Sequence, residues 1–229
     1  METREVLRTT GAVREFDGTP VDRRTIYDLL ETARYAPSGG NRQCWRVVVI
    51  EDPETRRALR DAYLPGWYEY LALASAGLVP FSVVADREAE AVALRDAPSL
   101  AARAATGDGG FAGHLDEVPA LLVVLADLRN VAAMDRGDGA KTFVGGASVY
   151  PFAWSILLAA RDAGLGGVLT TMVRRRDDEV RTLLGCRPYH EVACVIALGR
   201  PLVRATRLTR SPVESFATID GVDGAPLEP

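Results

Sequence analysis

The stretch Ala36-Pro37-Ser38-Gly39-Gly40-Asn41-Arg42-Gln43-Cys44-Trp45 joins two segments of different periodicity. Upstream, RRTIYDLLETARYA (23–36) sets Ile26, Leu29, Leu30 and Ala33 at helical spacing, with Asp22 as N-cap and Pro37 as the stop. Downstream, WRVVVI (45–50) is a short β-branched run that reads as a strand. The chain must therefore turn sharply at a packed edge. Gly39 and Gly40 let the backbone come close to a flat ligand, while Ser38, Asn41 and Gln43 offer hydrogen-bonding side chains. On composition alone, the same residues serve equally as a polar connecting loop.

Working outward, Asp52-Pro53 opens a second helix through about Leu64, since proline suits a first helical turn. Residues 65–119 are the least regular part. They hold Trp67, Tyr68 and Tyr70, an Ala-rich helix near Pro98 to Ala105, and the loose GDGGFAG at 107–113. ALLVVLAD (120–127) is continuously apolar and reads as a strand buried on both faces. A polar link, RGDGAK (136–141), leads to a helix marked by Phe152, Ile156, Leu157 and Ala160 and ended by Gly164. Gly145, Gly146 and Ser148 before it read as a turn and an N-cap. VLTT (168–171) is strand-like, a charged helix spans about Asp177 to Leu184, and EVACVIALG (191–199) is a last strand. Helices and strands mix without the regular alternation of a Rossmann sheet.

The chain has 229 residues, 48% of them hydrophobic, and a net charge of −4. That suffices for one sizeable core, and fits two small domains as well. An acidic chain without a clustered basic face gives nucleic acid or an anionic membrane no electrostatic purchase. Arg174-Arg175-Arg176 is followed at once by Asp177, Asp178 and Glu179, a neutralised helix start. The cysteines at 44, 186 and 194 lack CxxC spacing, and with His114 and His190 they supply no zinc set. Neither a signal peptide nor the roughly 20 apolar residues of a membrane span is legible, so a reduced, cytoplasmic protein is expected. Cys44 reads as a buried, inert thiol.

Four segments in order carry a resemblance. Arg14-Glu15-Phe16 with Thr19-Pro20-Val21, the loop APSGGNRQ-x-W, the run GGASVYPFAWSILLAARDAGLGGVLTT, and Leu208-Thr209-Arg210-Ser211-Pro212-Val213-Glu214 are together similar to the nitroreductase family of flavoproteins. The resemblance implies one FMN-binding domain over residues 1–229 with a three-layer α+β fold. In that fold a mostly antiparallel central sheet is flanked by helices, and two chains form an intertwined homodimer with FMN at the interface. The variable segment of about 65–119 would cover the pocket, where Trp67, Tyr68 and Phe111 are candidates for acceptor selection or for plain packing.

Residue by residue, the resemblance implies cofactor contacts for Thr10, Gly11, Ala12 and Arg14 near the start of the chain. It implies them also for Pro37, Ser38, Gly39 and Asn41 in the loop that meets the flavin from the partner subunit. Thr170 and Thr171 match the strand against the ring, and Arg210 matches a phosphate or ring-edge position. Arginine suits a phosphate through its planar fork of donors. Thr10 falls where the family has a phosphate-binding arginine, Ala12 where it has a serine, Leu208 where a basic residue is common, and Cys44 where proline is usual. These departures point to weaker FMN binding or to altered geometry at the phosphate. No protein nucleophile or metal is implied, because the flavin carries the chemistry.

The expected activity is a ping-pong transfer of hydride from NAD(P)H through flavin N5 to a small planar acceptor such as a nitroaromatic, quinone or enone. The alternatives are a flavin-dependent oxidase, desaturase or flavin-degrading enzyme on the same scaffold, or a flavin-binding protein without turnover.

Overall fold

The computed structural model describes residues 1–107, 109–137, 144–204 and 206–229. The polar link at 136–141 and the loose stretch at 107–113 therefore fall partly outside the described residues. In chain order the regular elements are α1 (Thr3–Thr9), α2 (Arg23–Ala33), β1 (Trp45–Val49), α3 (Pro53–Ser75), α4 (Arg87–Ala93) and α5 (Ala97–Ala104). They continue with α6 (Gly110–Gly113), β2 (Ala120–Asp127), α7 (Tyr150–Asp162), β3 (Gly166–Thr170), α8 (Asp177–Leu183) and β4 (His190–Gly199). The strands form one antiparallel sheet in the order β1-β2-β4-β3.

β2 is buried along its whole length, as its unbroken apolar pattern requires. Leu122 and Val124 of β2, with Cys194 and Ile196 of β4, pack on α2 and α7. The alternate residues Leu121, Val123, Val195 and Ala197 pack on the other side against Leu59 and Tyr63 of α3, Leu115, Val173 and Val180. Two apolar layers on one sheet make the three-layer α+β arrangement. Trp45 at the start of β1 stacks flat on Phe152 of α7, with ring centroids 4.5 Å apart.

α2 begins as expected, with the Asp22 carboxylate accepting from the Thr25 amide at 2.7 Å. α3 departs from expectation. Asp52 caps it, accepting from the Thr55 amide at 2.8 Å, but the helix runs through Pro65 to Ser75 instead of ending near Leu64. Proline removes one amide donor, whose partner would be the carbonyl of Asp61 on an exposed stretch where water can replace it. Burial of Leu59, Ala62, Tyr63, Gly66, Ala72 and Leu73 along one face outweighs that loss. Much of 65–119 is thus helical. Between β2 and β4 the register shifts after Val124, leaving Ala193 as the extra residue of a bulge; its carbonyl accepts from the Tyr150 hydroxyl at 3.2 Å. No described helix is long and apolar enough to cross a membrane.

Candidate active site

The candidate residues fall into two groups, at opposite edges of the sheet. The first lies along β3. Ala12 makes a parallel bridge to Gly167, and the Val13 amide donates to the Gly167 carbonyl at 2.9 Å. A Cβ at Gly167 would stand 2.4 Å from the Ala197 carbonyl oxygen, so close strand packing there demands glycine. Thr10 is buried, its hydroxyl donating to the Val6 carbonyl at 2.7 Å, while Gly11 is half-buried and Ala12 exposed.

Arg14 is exposed, and its charge acts on the hydroxyl of Tyr63. Thr170, at the end of β3, is half-buried and donates from Oγ1 to Tyr63 Oη at 3.5 Å. Thr171 has left the strand and leads a 3-10 turn over Met172–Arg176 that buries Val173, a shift from the sequence reading that carried the strand through it. Tyr63 is only 3% exposed, and burial pushes its hydroxyl pKa up. Phe111 meets its ring edge-on at 6.4 Å.

The second group precedes β1. Pro37 is exposed; the Ser38 hydroxyl accepts from the Gln43 amide at 2.9 Å; and the Asn41 amide donates to the Ser38 carbonyl at 2.8 Å. Asn41 (φ 53°) and Gln43 (φ 47°) both adopt left-handed backbone conformations, an uncommon pairing that holds the loop in a tight coil. The Gly39 amide donates to Ser148 Oγ at 3.0 Å, and a Cβ on Gly39 would lie 2.6 Å from Ala132 Cβ. Ser148 is therefore a fastener for this loop and not the expected helix cap; Val149 holds the cap position of α7. The Ser148 carbonyl also accepts from the buried Cys44 thiol, whose pKa burial raises.

Behind the loop, the fully buried Asp127 closes the end of β2. Its carboxylate takes the Arg129 guanidinium by Nε at 2.9 Å and by the terminal nitrogen at 2.7 Å, with Arg46 at 3.7 Å. The Arg129 hydrogen bonds, foremost, hold its pKa down at about 2. Arg129 also stacks 3.6 Å over the Tyr189 ring.

β1 and β3 are separated by three strand spacings, about 14 Å. An open cleft of about 1020 Å³ is lined by residues that include Val131, Ala133, Val149, Arg174 and Ala193, and by none of the candidate residues of either group. Arg210 joins neither group. It sits exposed on the terminal arm and donates to the Thr209 carbonyl, its one hydrogen-bond partner among the described residues. That arm leaves Phe216, Ile219 and Val222 exposed and folds on itself through the bridge Thr218–Pro226.

The Arg174–Arg176 run is paired with Asp177, Glu191, Glu69 and Glu179. Among the described residues no cluster of three or more His, Cys, Asp or Glu could hold a metal. Tyr63 and Ser148 were not assigned to the site from sequence. Tyr63 falls on the apolar face of α3, where a tyrosine reads as packing, and Ser148 meets its partner across 109 positions of chain.

Comparison with known proteins adds an independent line. The Nitroreductase family model matches residues 7–200. A protein of Thermus thermophilus described as an NADH dehydrogenase is 30% identical over 203 residues, covering 89% of this chain and 88% of its own. A BluB-like flavoprotein from Clostridium difficile shares the fold with a TM-score of 0.68 at 20% identity, over 96% of this chain and 100% of its own. The NADPH:FMN oxidoreductase from Vibrio harveyi, solved with NAD+, shares it with a TM-score of 0.66 at 18% identity, over 96% and 77% of the two chains.

Proposed function

The chain belongs to the nitroreductase family, and on that premise we propose that residues 1–229 form one FMN-binding domain of an NAD(P)H-dependent oxidoreductase. It takes hydride from the nicotinamide and passes it to a small planar acceptor. The observation that carries this reading is the family match over residues 7–200, together with Ala12 and Val13 laid against β3 and Thr170 at its end bonded to the buried Tyr63 hydroxyl.

FMN, when bound, supplies the centre that accepts and returns the hydride. The residues along β3 fit such a group. The Thr170 and Tyr63 hydroxyls and the Arg14 guanidinium are donors of the kind that suits a polar ring edge. Thr10, Gly11 and Ala12 would hold the ribityl and phosphate end. Thr10 gives a phosphate no cation, and its hydroxyl is already engaged by the Val6 carbonyl, a departure that lowers the phosphate affinity expected of this end.

Pro37, Ser38, Gly39 and Asn41 complete the site from a second copy of the chain, because in their own chain they stand at the far edge of the sheet. The partners are then NAD(P)H, the acceptor and a like subunit. No side chain has to act as a nucleophile; the protein orients the ring, excludes water and holds charge.

The test is an absorption titration of the purified protein with FMN, followed under anaerobic conditions by NADH and then NADPH. Flavin bands that sharpen on binding and bleach with either nucleotide are expected. Protein that holds no flavin at micromolar concentrations overturns the proposal. Bound flavin that neither nucleotide bleaches points to the oxidase or the non-catalytic alternative.

A further inference from the structure

Tyr63 and Thr170 carry two hydroxyl protons and share one long hydrogen bond. The contact is 3.5 Å, well beyond the usual O–H···O distance, and it is the one hydrogen-bond partner of Tyr63 Oη among the described residues. With Thr170 as donor, the Tyr63 proton has no acceptor among the described residues; with Tyr63 as donor, the half-buried Thr170 keeps its own proton at the end of β3. Tyr63 is 3% exposed, so water does not readily supply that acceptor. A buried donor left unsatisfied is costly, and such a group calls for an explanation. Phe111, edge-on to the Tyr63 ring, and the α3 backbone hold the phenol with its oxygen beside Thr170 at the end of β3.

We propose that Tyr63 is a cofactor-contacting residue, its hydroxyl paired with Thr170 to present one hydrogen-bond donor to a carbonyl or ring nitrogen on the polar edge of the bound flavin. This rests on the FMN reading above. The donor and the Arg14 charge together favour the added negative charge that a flavin edge carries after reduction, so the pair tunes the reduction potential as well as the affinity. A merely structural hydroxyl would act differently: it would stabilise the empty protein and leave the flavin indifferent.

The test is Tyr63→Phe, which keeps the ring and its packing and removes only the hydroxyl. FMN affinity is read by quenching of flavin fluorescence, the midpoint potential by equilibration with a redox dye, and the melting temperature on flavin-free protein. The expected result is an FMN Kd raised about three- to tenfold, a lower midpoint potential, and a flavin-free melting temperature no lower than that of the parent. Thr170→Val should weaken FMN in the same way, and the double variant should lose little beyond the worse single one. Tyr27→Phe, on the exposed face of α2, should change none of these.

A flavin-free protein that melts lower while affinity and potential stay unchanged overturns the assignment and makes Tyr63 a packing residue. Parent protein that binds no FMN fails the functional proposal itself, a result the same titration shows before any variant is made.

Discussion

Replacing Asp127 with asparagine tests the electrostatics of the sheet end directly. The carboxylate is fully buried and takes two hydrogen bonds from the Arg129 guanidinium and one from the Arg129 amide, with Arg46 beside it. Its pKa falls from the ordinary 3.8 to about 2. At full value that displacement is linked to about 2.5 kcal/mol of stability at neutral pH. Both arginines are roughly half exposed, so solvent screening reduces the figure to about 1–2 kcal/mol.

The sign follows from the depressed value. The contribution is complete above the unfolded pKa, fades as pH falls through the acid range, retains about half its size at pH 3, and is gone below about 2. Asp127→Asn keeps the shape but turns an amide donor toward a guanidinium or leaves it unpaired. A fall in melting temperature of about 3–6 °C is expected at pH 7 for a chain of this length. The assay is thermal unfolding of parent and variant from pH 7 to pH 3. A gap between them that narrows toward pH 3 supports the charge argument. A gap constant across the range refutes it and makes the cost one of shape.

Three further outcomes follow from the geometry. Ser148→Ala removes the acceptor of the Gly39 amide and should cost about 1–3 kcal/mol in urea unfolding, with FMN affinity reduced in folded protein; unchanged affinity would separate this loop from the flavin. Gly167→Ala drives a Cβ to within 2.4 Å of the Ala197 carbonyl oxygen and should destabilise by about 1–3 kcal/mol, seen as a lower melting temperature. Cys194, its thiol pKa pushed up to about 12 by burial, and buried Cys44 should resist a thiol reagent until the protein unfolds. Native protein should then titrate with no more than the partly exposed Cys186, and rapid reaction of all three cysteines would contradict the described core.

The elements around the 36–45 loop were legible because their signals are local. Asp22 and Asp52 cap where their positions suggest, and the unbroken apolar run of β2 allows little but a doubly covered strand. α3 was cut short because proline is a strong local stop signal, whereas what carries the helix past Pro65 is tertiary: Gly66 lets it approach the Met172 carbonyl, where a Cβ would stand 2.7 Å away. The candidate residues Arg14 and Thr170 could be named from motif matches, but no spacing reveals that Tyr63 meets Thr170. The fastening of Gly39 by Ser148 is likewise a long-range contact with no local trace.

Candidate residues at two opposite sheet edges also have a genetic consequence. In the proposed pairing each site draws one half from either chain, so damage to the two halves is not equivalent to damage twice over. A chain altered at Gly39 still owns an intact β3 edge, and a chain altered at Arg14 still owns an intact loop. Produced together, two such inactive chains would assemble in part as mixed pairs with one undamaged site each. Two defective alleles would then give activity that neither gives alone, and activity would thin out on dilution faster than the protein itself.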